Sequence, residues 1–149
     1  MNKKQIEDLF HSTLLEIAEK IKENENKINN TDIKFLIDLI LEIKKNNNMV
    51  FVYGAGRSGS IGRCFAQRLM HLGIKSCFVS DAVTHQYTKD DLLIVISGSG
   101  ETTSPVAIAQ KAKIIGGKIA LLTGNSDSTI GNLSDCIIKI EGKSKDKAI

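Results

Sequence analysis

An open α/β domain, a three-layer α/β/α sandwich around a five-stranded parallel sheet, is the fold this sequence predicts, on three observations. Five short apolar runs, at 49–53, 76–79, 92–96, 118–122 and 136–140, are strand-sized and nearly continuous in apolar residues, as strands buried on both faces must be. Helix-type segments at 58–72, 106–115 and 128–133 separate most of them, which implies helices on both faces. Loops rich in glycine and serine follow the first and third runs, where open α/β sheets bind their ligands.

Ahead of the sheet, residues 3–23 place Ile6, Leu9, Phe10, Thr13, Leu14, Ile17, Ala18 and Ile21 on one stripe opposite a charged face, the pattern of an amphipathic helix. The polar stretch 23–30 interrupts it. Thr31 or Asp32 can cap a second helix, whose apolar positions Ile33, Leu36, Ile37, Ile40, Leu41 and Ile43 run up to the stop at Asn46-Asn47-Asn48. The expected organisation is therefore an antiparallel helical hairpin over 1–47, packed on the domain or on a partner subunit. A ligand-binding α/β domain over 48–142 and a polar tail over 143–149 complete it. Gly73 closes the helix after the first strand, and Gly116-Gly117 closes the helix after the third.

Composition narrows the function classes. The 149 residues, 42% hydrophobic and 25% charged with 12 glycines and one proline, suit one ordinary domain and exclude disordered, collagen-like and disulfide-scaffold chains. A net charge of +3 with no tryptophan argues against nucleic acid and membrane surfaces as partners. No run approaches the roughly 20 apolar residues of a membrane span, and MNKKQIEDLF lacks a signal peptide's apolar core, so a cytoplasmic protein is expected. Cys64, Cys77 and Cys136 lack metal-ligand spacing and read as buried thiols; no metal and no cofactor is expected. Arg57, Arg63 and Arg68 are the only arginines among 20 basic residues and lie in one segment, which points to a local need for guanidinium geometry.

The first loop, Gly54-Ala55-Gly56-Arg57-Ser58-Gly59, matches G-x-G-x-x-G between a strand and a helix, with Asp81 farther on, so a dinucleotide site is one reading. An arginine inside the turn, where pyrophosphate usually meets only backbone, speaks against it. The second loop, Ser97-Gly98-Ser99-Gly100-Glu101-Thr102-Thr103-Ser104-Pro105, alternates hydroxyls with glycines before a helix and has the character of a phosphate cradle. A capped turn is the alternative for either loop alone; two such loops on neighbouring strand ends favour one ligand held between them.

The run VFVYGAGRSG at Val50 to Gly59 carries a resemblance. So do Ile61-Gly62-Arg63-Cys64-Phe65-Ala66 with Arg68-Leu69-Met70-His71-Leu72-Gly73, and Asp90-Asp91-Leu92-Leu93-Ile94-Val95-Ile96-Ser97-Gly98-Ser99-Gly100. Over roughly residues 33–145 the sequence resembles the sugar isomerase (SIS) domains, whose fold is flavodoxin-like, and within them the 6-phospho-3-hexuloisomerases. The resemblance implies a metal-free interconversion of 3-hexulose 6-phosphate and fructose 6-phosphate through an enediol, in the ribulose monophosphate route. It also implies a homo-oligomer, a dimer or tetramer, and a phosphorylated hexulose as the substrate partner.

Under that resemblance Ser97, Gly98, Ser99, Gly100 and Thr102 hold the phosphate, while Gly54, Gly56, Arg57 and Ser58 face the sugar. Glu101, the one carboxylate in either loop, is a candidate catalyst or a helix-start carboxylate. His71 and His85 are further catalytic candidates, with a structural cation and a surface loop residue as their alternatives. Hexuloisomerases continue past the last strand with a G-T-x-F-E segment whose glutamate is a candidate base; here Glu141-Gly-Lys-Ser-Lys-Asp-Lys-Ala-Ile149 stands instead. Either Glu101 or a neighbouring subunit then supplies the base, or the chain is a truncated, non-catalytic sugar-phosphate-binding module. An aldose–ketose isomerase like the arabinose phosphate isomerases is a further alternative.

Overall fold

A computed structural model describes residues 1–142; the expected polar tail, 143–149, lies outside the described residues. The elements run α1 (Lys3–Glu25), α2 (Asn30–Lys45), β1 (Val50–Gly54), α3 (Arg57–His71), β2 (Ser76–Phe78), β3 (Leu92–Ile96), α4 (Thr103–Ile115), β4 (Lys118–Thr123), α5 (Thr129–Leu133) and β5 (Cys136–Lys139). All five strands are parallel, in the order β2-β1-β3-β4-β5. The expected α/β sandwich is present, and the chain leaves β1 toward one edge and β3 toward the other. That reversal makes the gap between β1 and β3 the topological switch point.

Strand residues alternate between two cores. Val50, Val52, Leu92, Ile94, Ala120 and Ile138 face α2 and α3, where Leu36, Leu39, Ile43, Ala66 and Leu69 meet them. Phe51, Leu93, Val95, Ile119 and Leu121 face α4 and α5, against Ala109, Ala112 and Ile130. Burial on both faces is why the strands read as continuous apolar runs rather than alternating ones.

Several elements differ from the sequence expectation. Asn29, not Thr31 or Asp32, caps α2, its side chain accepting from the Thr31 amide at 2.8 Å. Helix α4 begins at Thr103, a turn before the expected start, because Pro105 falls at its third position, where a missing N–H costs nothing.

The crossover from β2 to β3 contains no helix. Its coil is pinned instead by Asp91, which accepts from the Met49 and Thr88 amides at 2.9 and 2.8 Å, and by Tyr87, whose hydroxyl donates to the Lys118 carbonyl at 3.1 Å. The Tyr87 ring packs edge-on against Phe51 at 5.1 Å and takes the place a crossover helix would occupy.

Helix α1 touches the domain near its end, where the Asn24 side chain donates to the Glu141 carbonyl at 3.0 Å and accepts from the Glu141 amide at 2.7 Å, but none of its residues is buried, and Leu9, Phe10 and Ile17 are each more than half exposed. Its amphipathic stripe is thus present as read, and among the described residues nothing buries it. No helix among the described residues is long and apolar enough to cross a membrane.

The cysteines divide, against the expectation of three buried thiols. Cys136 is buried and Cys77 half-buried, but Cys64 is exposed on the outward face of α3.

Candidate functional site

Strands β1 and β3 end level, with Gly54 opposite Ile96, so the two glycine–serine loops emerge side by side at the switch point. Their approach is close enough to exclude a side chain at Gly54, where a Cβ would lie 2.9 Å from the Ile96 carbonyl oxygen. Gly59 returns beneath the same turn; a Cβ there would stand 2.6 Å from the Gly54 oxygen. These two glycines of the first loop serve helix–strand packing, while Gly56, at φ +55 with open space around it, supplies the left-handed turn.

The ends of the helices carry the main signal. Side chains cap α1, α2 and α5 through Asn2, Asn29 and Ser128. The two helices that start at the switch point lack such caps: Gly56 precedes α3, and the Thr102 side chain makes no capping bond to α4. Each helix therefore directs its first unpaired N–H groups and its positive dipole end toward the gap between the loops. Arg57 stands exposed at the first position of α3, and Ser58 is half-buried beside it.

In the second loop Ser97 is buried, and its hydroxyl oxygen accepts from the Gly100 amide at 3.2 Å, which folds the turn on itself. Ser99 is exposed, and its oxygen accepts from the Glu101 amide at 3.2 Å. Thr102, with Thr103 and Ser104 in the first turn of α4, lines the exposed rim. The early start of α4 adds Thr103 and Ser104 to this rim, two hydroxyl residues that the loop pattern in the sequence does not distinguish.

The carbonyl side of this loop is fastened to the segment between β4 and α5. Gly98 O accepts from the Gly124 amide at 3.0 Å, Ser99 O from Asn125 Nδ2 at 3.4 Å, and Gly100 O from the Ile130 amide at 3.2 Å. Glu101 joins the same seam: one carboxylate oxygen accepts from the Thr129 amide at 2.6 Å and the other from the Thr129 hydroxyl at 2.8 Å. These two bonds, the backbone one first, hold its carboxyl below the ordinary glutamate range. The carboxylate expected as a candidate catalyst is thus engaged and weakened as a base.

The histidines are elsewhere. His71 ends α3, a 15-residue helix about 22 Å long, and so lies at the opposite end of the domain from the loops. His85 is exposed on the coil between β2 and β3, beside a cavity of about 140 Å³ lined by Phe51, Val79, Tyr87, Leu93, Ile108 and Ala112 on the α4 face. Asp81, the acid that a dinucleotide reading requires, forms an ion pair with Arg63 at 3.3 Å, and Arg63 also lies 3.9 Å above the Phe78 ring. That carboxylate is committed to its neighbour, not presented to a ribose.

Residues 42–148 match the SIS domain family. The 3-hexulose-6-phosphate isomerase of Methanocaldococcus jannaschii is 43% identical over 143 residues, covering 96% of this chain and 75% of that protein. The 3-hexulose-6-phosphate isomerase of Bacillus subtilis is 40% identical over 135 residues, covering 89% of this chain and 71% of its own length. A crystal structure of a Methanococcus jannaschii protein, from which the function of a 3-hexulose-6-phosphate isomerase was inferred, superposes with a TM-score of 0.71 at 45% identity. It covers 80% of this chain and 65% of that one.

Proposed function

The chain belongs to the SIS domain family, and from that premise we propose that it is a sugar-phosphate isomerase that interconverts 3-hexulose 6-phosphate and fructose 6-phosphate. One observation carries this reading: the two helices that start at the switch point are the two without side-chain caps, and both face the same gap. An anion placed there meets amides from two helix starts, with no need for a Walker-type lysine.

In this reading the phosphate sits against the Gly98–Gly100 turn, taking donors from Ser99 and Thr102 and from the first amides of α4. Ser97 and Gly100 shape the turn from below, and Gly54, Gly56, Arg57 and Ser58 face the carbons of the sugar. The reaction moves a ketone from C3 to C2. A base takes the C2 proton, the electron pair passes through a 2,3-enediolate, and C3 is protonated as the carbonyl forms at C2. Arg57 stabilises the negative oxygen of that intermediate, a contribution of roughly 10²–10³ in rate for a well-placed donor. The route requires no metal.

Glu101 is engaged with Thr129 and both histidines lie off the loops, so none of these three candidates is placed to take the C2 proton from a sugar held between the loops of its own copy. The stripe of α1 left unburied among the described residues, with Leu9, Phe10 and Ile17 exposed, supports a homo-oligomer. Incubation with fructose 6-phosphate followed by carbon NMR tests the reaction, since a second ketose phosphate with its carbonyl at C3 should accumulate. No conversion at high protein concentration refutes it.

The engagement of Glu101 also favours a second reading, a sugar-phosphate-binding module without turnover. That reading expects fructose 6-phosphate to raise the melting temperature while the sugar stays unconverted.

A further inference from the structure

We propose that Glu101 is a positioning residue: through Thr129 it latches the phosphate-binding turn to the start of α5, and it takes no part in proton transfer. The inference rests on the sugar-phosphate reading of the second loop and assigns a role within it.

The turn has two sides. Its carbonyls, Gly98 O, Ser99 O and Gly100 O, all point to the β4–α5 segment and are taken up by Gly124, Asn125 and Ile130. With these three acceptors taken up, the exposed hydroxyls of Ser99 and Thr102 are left to donate to an anion on the open side of the turn. Glu101 closes the seam next to the helix start, at 2.6 and 2.8 Å to the two donors of Thr129. A carboxylate left loose at this point would stand among the groups that receive a phosphate dianion and would repel it. Held by Thr129, it faces the back of the turn, with its charge shared between two donors.

Sequence separation rules out a local explanation. Glu101 and Thr129 lie 28 positions apart, on opposite sides of β4, so their pairing joins the second loop to the first residue of α5 rather than capping a helix with its own neighbour. Ser128 already caps α5 through its bond to the Gly131 amide, which leaves the Thr129 amide free for Glu101.

The latch and the base predict opposite mutant patterns. Glu101→Gln keeps an amide oxygen for the Thr129 N–H and places its NH₂ against a hydroxyl that can accept, so it should retain kcat, with any loss confined to KM. Thr129→Pro removes both donors at the first position of a helix, where proline is tolerated, and follows Ser128 in the extended conformation that proline prefers. It should raise KM roughly tenfold with little change in kcat. Thr129→Val, which loses only the hydroxyl, should move KM the same way by a smaller factor, and it carries the test if the proline variant does not fold.

Loss of kcat in Glu101→Gln at unchanged KM makes Glu101 the base and overturns the proposal. An unchanged KM in both folded Thr129 variants overturns it as well, with the isomerase reading intact. A wild-type protein that neither binds nor converts fructose 6-phosphate overturns the underlying reading, and is recognised before any variant is compared.

Discussion

Replacing Gly100 by alanine tests whether the proposed phosphate turn is held by shape as well as by hydrogen bonds. Gly100 sits at φ +69, and an added Cβ would lie 2.6 Å from Ser128 Cβ and closer still to its hydroxyl. The left-handed backbone alone costs an alanine about 1–2 kcal/mol. Ser128 is 3% exposed, so it has little room to retreat. Moving it sacrifices the cap on α5, about 1 kcal/mol, and the hydrogen bond from its hydroxyl to the Asn125 carbonyl, about another 1 kcal/mol. The expected destabilisation is about 3–4 kcal/mol, or a drop in melting temperature of about 10 °C for a chain of this size. Urea unfolding at neutral pH measures it. The steric share is isolated by combining Gly100→Ala with Ser128→Gly, which should cost about 1–2 kcal/mol less than the two single changes added together. A single variant within 1 kcal/mol of wild type, or strict additivity in the pair, refutes the packing argument.

Ser99→Ala should weaken fructose 6-phosphate binding by about 1–3 kcal/mol in calorimetry, because the proposed reading puts its exposed hydroxyl on the phosphate; unchanged affinity removes it from the site. Arg57→Ala should lower kcat by roughly 10²-fold with a smaller change in KM, and an effect confined to KM would assign Arg57 to binding alone. Thiol labelling of the folded protein should give one fast site, the exposed Cys64, and two slow ones. Burial raises the thiols of Cys77 and Cys136 and shields them; equal rates at all three would contradict that packing.

The strands were legible because their burial is two-sided and local composition records it. Leu92 to Ile96 could hardly be solvent-facing in any arrangement, and Val50 to Val52 likewise. Both glycine–serine loops are legible for a related reason: glycine is demanded where Gly54 meets Ile96, where Gly56 takes a positive φ, and where Gly100 takes a positive φ against Ser128, and such demands leave a visible pattern.

What escaped the sequence is non-local. Asn29, Thr31 and Asp32 are all good caps, and only the tertiary placement of α2 chooses among them. Tyr87 could stand in for a crossover helix only once Phe51 and the Lys118 carbonyl were beside it. Ser97 reads as a ligand donor in the sequence, yet it is buried and closes the turn on the Gly100 amide. Glu101 reads as a free acid until Thr129 arrives from the far side of β4. Cys64 reads as buried because thiol residues usually are, and the helix phase that turns it outward is fixed by Gly62 and Ala66 packing inward.

The central claim, enediol chemistry between C2 and C3 at the switch point, is tested most directly by proton NMR of fructose 6-phosphate incubated with the protein in deuterium oxide. The account predicts loss of the C3 proton signal, because deprotonation at C3 and return of a solvent deuteron accompany each passage through the 2,3-enediol. Exchange at C1 instead would mark an aldose–ketose isomerase, and no exchange at any carbon would contradict the catalytic account outright.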